Sequence, residues 1–215
     1  MKAPSARRHY YPLTWALLIL CGAASAVPQP ITSLPLQTQG ENRWRLPAGE
    51  YSGQFLIDQT LTLSCEPGAV IDGGDHGNVL TVRAPHVVIE GCALRGSGSD
   101  LSEMNAAIFL EPRASDAVVR DNYLQGRGFG IWSERNLNVL IENNRVEGDA
   151  RMRSQDRGNG IHLFSVKGAR VIGNHVRNTR DGIYIDNSNG NSIERNLFED
   201  LRYGVHYMFA NDNSV

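Results

Sequence analysis

Two motifs recur along the chain in one shared phase. The first is Gly or Ala, an aliphatic residue and a large residue: Ala107-Ile108-Phe109, Gly130-Ile131-Trp132, Gly160-Ile161-His162, Gly182-Ile183-Tyr184 and Gly204-Val205-His206. The second is an aliphatic followed three residues later by Asn: Val119/Asn122, Ile141/Asn144, Val171/Asn174 and Ile193/Asn196, with Ile89/Cys92 as an earlier, degenerate copy. Successive Asn residues are 22, 30 and 22 apart, and the aliphatics of the first motif are 23, 30, 22 and 22 apart. A step of 30 is a 22-residue unit with eight residues inserted.

Within each unit the hydrophobic pattern alternates, as in Ile183-Tyr184-Ile185, and the runs are short, β-branched and broken by Gly and Asn. Helical spacing is absent. Period-two strands at a fixed 22-residue step predict a right-handed parallel β-helix, in which each coil lies on the one before. About six coils at ~4.8 Å give a solenoid roughly 30 Å long. The Asn column should sit at one turn, with its amides bonding up and down the stack. Ile161 and Leu163 face inward, so His162 faces outward, and with it Phe109, Trp132, Tyr184 and His206, one per coil. This stripe either covers a sheet face by stacking or forms a binding strip. Two longer loops, around Gly96–Asn105 and Gly148–Asn159, leave the same edge beside the stripe and carry Met104 and Met152.

The domain is expected over 43–215, preceded by a Pro/Gln/Thr-rich leader over 27–42. Ala210-Asn211-Asp212-Asn213 runs into a further turn, so the domain is expected to be truncated at its C-terminal end. Lys2, Arg7 and Arg8, the apolar run from Leu13 to Ala24 and the Ala24-Ser25-Ala26 site form a cleavable signal peptide over 1–26. The reading is therefore a periplasmic protein. No second long apolar run predicts a membrane span. The signal takes three basic residues with it, leaving 18 Lys+Arg against 23 Asp+Glu, a net charge of −5 that argues against nucleic acid as a partner. Gly (22 residues) and Asn (17) are abundant, which suits a chain that turns often. In an oxidising compartment Cys65 and Cys92, at equivalent strand ends of neighbouring coils, should form a structural disulfide rather than a metal thiolate pair.

Candidate chemistry concentrates on the stripe. His206 and Met208 are two apart and share a strand face. Imidazole with thioether suits Cu(I). His162, two coils below in the same column, is an accessory, and Met104 or Met152 can add a thioether from the loops. The outward acids are scattered, with Asp186 nearest the stripe, so no catalytic residues are assigned. The other class of reading is a carbohydrate-active β-helix (lyase, epimerase or sugar-binding module), which a converging acid or Arg cluster on the stripe would favour.

Several segments carry a resemblance: Pro67-Gly68-Ala69-Val70-Ile71-Asp72-Gly73-Gly74, Arg157-Gly158-Asn159-Gly160-Ile161-His162-Leu163 and Leu201-Arg202-Tyr203-Gly204-Val205-His206-Tyr207-Met208. With them the mature chain resembles the N-terminal portion of the NosD family of nitrous oxide reductase maturation proteins. The resemblance implies a non-enzymatic role with transiently bound copper, Cu(I). Its implied partners are an ABC transporter in the membrane, a copper chaperone and nitrous oxide reductase, whose copper–sulfide centre would be loaded. Cys65 and Cys92 depart from the Gly and aliphatic residues expected at those places.

Overall fold

Three parallel sheets run the length of the computed structural model, which describes residues 27–215; the expected signal peptide lies outside the described residues. In the first sheet, seven strands stack in coil order: Phe55–Ile57, Leu80–Val82, Ala106–Leu110, Phe129–Glu134, Ile161–Phe164, Asp181–Asp186 and Tyr203–Met208. Each visits the second and third sheets before returning one coil on, so the fold is a parallel β-helix. The register matches the repeat: Ile108, Ile131, Ile161, Ile183 and Val205 pair in turn. In the second sheet Leu63, Ile89, Val119, Ile141, Val171 and Ile193 do the same. These columns form one continuous apolar core. Stacking like on like fills the interior evenly, because each side chain meets a neighbour of its own shape. Among the described residues no helix is long and apolar enough to cross a membrane.

Turn chemistry explains the Asn motif. The residue ahead of each column position takes the left-handed conformation: Gly91 (φ 68°), Asp121 (57°), Asn143 (53°), Gly173 (67°) and Arg195 (52°). The column residue then turns its amide inward. Asn144 Oδ1 accepts from the backbone N–H of Asn122 (3.1 Å) and from its Nδ2 (2.9 Å), while Asn144 Nδ2 donates to Val119 O (2.8 Å) and to Asn174 Oδ1 (3.0 Å). Asn174 and Asn196 repeat the pattern. A second amide column, Asn191 above Asn213, is spaced by the same 22 residues and escaped the sequence reading.

The Gly of the first motif is explained by close approach. A Cβ on Gly160 would stand 2.2 Å from Val176 Cγ1 and 2.8 Å from Gly182 O. That corner leaves room for hydrogen alone.

Residues 27–42, read as a leader, pack against the first coil. Gln29–Pro30 pairs with Phe55–Ile57, Gln37–Thr38 pairs antiparallel with Arg43–Leu46, and Ile31 and Leu34 are buried. The cause lies in two apolar anchors in an otherwise polar stretch, which cover the open end of the core.

Cys65 and Cys92 are bonded, with Cα atoms 4.9 Å apart. Cys92 occupies the first place of the amide column: its N–H donates to Asn122 Oδ1 (2.9 Å). The disulfide thus takes over where the amides stop. The cysteines are 27 residues apart; by loop-closure entropy, removing the bond is expected to cost about 3–4 kcal/mol. Urea unfolding of the oxidised protein against Cys65→Ser/Cys92→Ser checks this, and equal midpoints would contradict it.

Candidate functional site

The outward column of the first sheet is a continuous stack of rings. Centroids are 6.5 Å apart for Phe109–Trp132, 4.0 Å for Trp132–His162, 4.8 Å for His162–Tyr184 and 4.5 Å for Tyr184–His206. Three of the four fall within the range of about 4.5–7 Å for favourable aromatic contacts, and Trp132 and His162 stand closer still. The stripe expected from the repeat therefore exists, but it is not an exposed row. Phe109, Trp132 and His162 are buried, at 9%, 9% and 7% exposure. Phe129 meets Trp132 edge-on, and Leu101, Met104 and Phe164 pack over them in a satellite apolar cluster. The first inserted loop folds back because Leu101 and Met104 are apolar anchors. Asp100 shapes its turn by accepting from the N–H groups of Ser102 and Glu103. Only Tyr184 and His206 stay partly open.

The candidate ligands separate accordingly. Met104 lies over the buried rings and lines a cleft with His162. Met152 does not reach the stripe; it lines a different cleft with Ser99, Arg127, Asp149 and Arg151. The second loop is turned that way by Arg157, whose guanidinium donates to the carbonyls of Ala150, Met152 and Asn178. His162 and His206 stand on either side of the Tyr184 ring, so they share no ion.

His162 is held neutral: burial pushes its pKa down to about 3. Its Nδ1 accepts from Asn159 Nδ2 (3.2 Å), which places the proton on Nε2. That N–H has no partner. Neither do the buried Nε1 of Trp132, Oδ1 of Asn159 and Nε of Arg180, all belonging to residues that line the same cleft. Each such group costs about 1–3 kcal/mol.

At the other end of the column sits an arrangement that the sequence reading missed. Asp181, fully buried, accepts two hydrogen bonds from Arg202 (Nε to Oδ1 2.9 Å, Nη2 to Oδ2 2.6 Å) and lies 3.0 Å from His206 Nδ1. Burial alone would raise its pKa, but the bonds from Arg202 and His206 outweigh that and hold it below the ordinary aspartate range. A carboxylate only accepts, so His206 carries its proton on Nδ1. The 3.4 Å approach of Arg202 Nη2 to the same nitrogen reflects two donors sharing Oδ2. The Nε2 lone pair is therefore left free. Met208 follows on the same face, 38% exposed. Overlaying coils at the 22-residue step brings out the missing signal: Arg180 and Arg202 fall in one column, immediately ahead of Asp181. An acid–arginine cluster does converge on the stripe, although Asp181 is neutralised within it. Among the described residues no three His, Cys, Asp or Glu side chains converge on a common point.

Comparison with known proteins places this geometry in a family. The sequence profile of the NosD family, described as periplasmic copper-binding protein, matches residues 142–215. The chain is 56% identical over 181 residues to the probable ABC transporter binding protein NosD of Stutzerimonas stutzeri, covering 84% of this chain and 42% of that protein. It is 54% identical over 165 residues to the protein of the same description from Pseudomonas aeruginosa, covering 77% and 39%. A shorter Pseudomonas aeruginosa sequence of that description is 49% identical over 100 residues, which is 92% of its length. The chain spans about two fifths of the length of the first two curated relatives. By these matches and its repeat architecture, the chain belongs to the NosD family.

Proposed function

We propose that this chain handles copper in the periplasm as part of a maturation factor that passes Cu(I) to the copper–sulfide centre of nitrous oxide reductase, without catalysing a reaction of its own. Copper is cargo in this reading. A copper chaperone supplies it, and an ABC transporter provides the membrane partner. The family description supports the metal, and the relatives' printed names support the transporter.

The observation that carries the proposal is the Asp181–His206 pair. Metal-binding imidazoles commonly donate their second N–H to a carboxylate, which fixes the tautomer and makes the free nitrogen a better donor. Here Asp181 holds Nδ1–H, His206 Nε2 is free, and the Met208 thioether stands on the same strand face. A two-donor, partly open set suits a soft monovalent ion that must also leave. Asp181 and Arg202 stay as positioning groups. His162, across Tyr184, is at most an accessory, and Met104 and Met152 lie farther from the His206 end.

Competition against a Cu(I) chelator tests this. His206→Ala and Met208→Ala are expected to weaken binding most, Asp181→Asn about tenfold through the lost orientation of His206, and His162→Ala least. In cells the losses should track reductase copper loading. Equal binding by all four variants and wild type, with loading intact, would remove the site. The acid–arginine cluster favours one other reading, a carbohydrate-binding module; retention of an oligosaccharide by protein indifferent to copper would select it.

A further inference from the structure

The cleft beneath the first inserted loop has a volume of about 280 Å³, and its lining includes Met104, Trp132, His162, Tyr184 and the two arginines Arg157 and Arg180. Its chemistry is lopsided. Three buried N–H donors, Trp132 Nε1, His162 Nε2 and Arg180 Nε, have no acceptor, against a single unpaired buried acceptor in the cleft, Asn159 Oδ1. Arg157 spends its guanidinium on backbone carbonyls, which leave its charge in place. Neither Arg157 nor Arg180 forms an ion pair among the described residues, whereas Arg202, one coil on, is neutralised by Asp181. The two lie side by side in the stack: the Arg180 N–H donates to the carbonyl of Gly158, the neighbour of Arg157 (2.9 Å). Asp186 is the one carboxyl that lines the cleft, and its charged form is disfavoured by burial.

A site with unmatched donors and unmatched positive charge calls for an acceptor-rich anion. The rest of the lining is apolar and aromatic, which suits a ligand with a flat or apolar body rather than a bare hydrated ion. We infer that this cleft binds a small organic carboxylate, its carboxylate directed to Arg157 and Arg180 and its body against Tyr184 and Met104. The backbone of the turn is pinned by the Asn105 N–H on Asp100 O and the Phe129 N–H on Asn105 O, but the Leu101 and Met104 side chains meet the rings by apolar contact and can yield as the ligand reaches the buried donors. The inference does not rest on the copper reading, since His206 and Met208 lie outside this cleft.

Calorimetric titration of the full chain with four probes tests it: benzoate, its neutral counterpart benzamide, digalacturonate and inorganic phosphate. At least one carboxylate is expected to bind, benzamide at least tenfold more weakly than benzoate. Binding of benzoate alone identifies a simple carboxylate, and binding of digalacturonate alone a sugar acid. Arg180→Gln should weaken that binding tenfold or more. Asp186→Asn, which removes the opposing charge and leaves the stack untouched, should tighten it severalfold while the melting curve stays cooperative. Copper competition measured on Arg180→Gln should be unchanged. The inference is overturned if neither carboxylate binds, if benzoate binds and benzamide matches it, if phosphate binds more tightly than both carboxylates, or if Asp186→Asn weakens binding in a folded protein.

Discussion

Replacing Asn144 with alanine is expected to lower stability by about 3–4 kcal/mol. The side chain is 1% exposed and makes four hydrogen bonds, all to buried groups of the coils on either side. Its loss strips the Asn122 N–H of its acceptor and Val119 O of a donor, while Asn122 Nδ2 and Asn174 Oδ1 keep one partner each. The orphaned Asn122 N–H at about 1–3 kcal/mol, the bonds lost by Val119 O, Asn122 Nδ2 and Asn174 Oδ1, and a small void lead to that figure. Asn144→Asp should fare no better, because a carboxylate cannot donate to Val119 O. The control is Asn211→Ala, an exposed Asn outside the left-handed region whose side chain makes no hydrogen bond, expected within about 0.5 kcal/mol of wild type. Urea midpoints at constant slope give the comparison. A difference under 1 kcal/mol between the two variants would mean that the column is not what holds the turns.

Arg202→Met carries the second large effect. It leaves the fully buried Asp181 carboxylate with His206 alone, and breaking a buried pair from one side costs about 3–5 kcal/mol. The pH dependence has a definite sign. In the wild type the pKa of Asp181 is lowered by folding, so its contribution is present above the unfolded value near 4 and is lost as pH falls through the folded value. In Arg202→Met burial dominates and the pKa rises; the penalty is then largest at neutral pH and shrinks as acid protonates the carboxyl. Arg202→Met should therefore gain on the wild type between pH 7 and pH 4. The double variant Asp181→Asn/Arg202→Met should recover most of the loss, since the charge is gone. A single-variant penalty that is flat with pH would show that Arg202 acts by packing over the Tyr203 ring rather than by charge.

The solenoid was legible because its causes are local and repeated. Ile161, Ile183 and Val205 reveal their stacking by spacing alone, and so does the first amide column. Cys65 and Cys92 could be paired because the strand register fixes which residues lie one coil apart. The candidate site was half legible. Alternation placed Trp132 and His162 on the outer face correctly, yet it could not show that Leu101 and Met104 fold back over them. That contact joins an irregular loop to a strand through shape, and no periodicity encodes it. Asp181 escaped for another reason. Read along the chain it is one acid ahead of a Gly; its partners Arg202 and His206 are 21 and 25 residues away, visible only once the coils are laid over one another. The packing of residues 27–42 was not legible, because Ile31 and Leu34 are two apolar residues too few to make a pattern and yet sufficient to join the core.

The amide columns also have an electrical sense. Along strands, neighbouring backbone carbonyls point alternately to the coil before and the coil after, so their dipoles largely cancel. The column amides do not alternate. Asn122, Asn144, Asn174 and Asn191 each turn the oxygen back toward the preceding coil, while the NH₂ gives one hydrogen to the column oxygen of the next coil and the other to a backbone carbonyl of the preceding one. Their side-chain dipoles therefore add along the solenoid axis. The negative end of the row lies at the disulfide, and the positive end lies toward the coil that carries His206 and Met208.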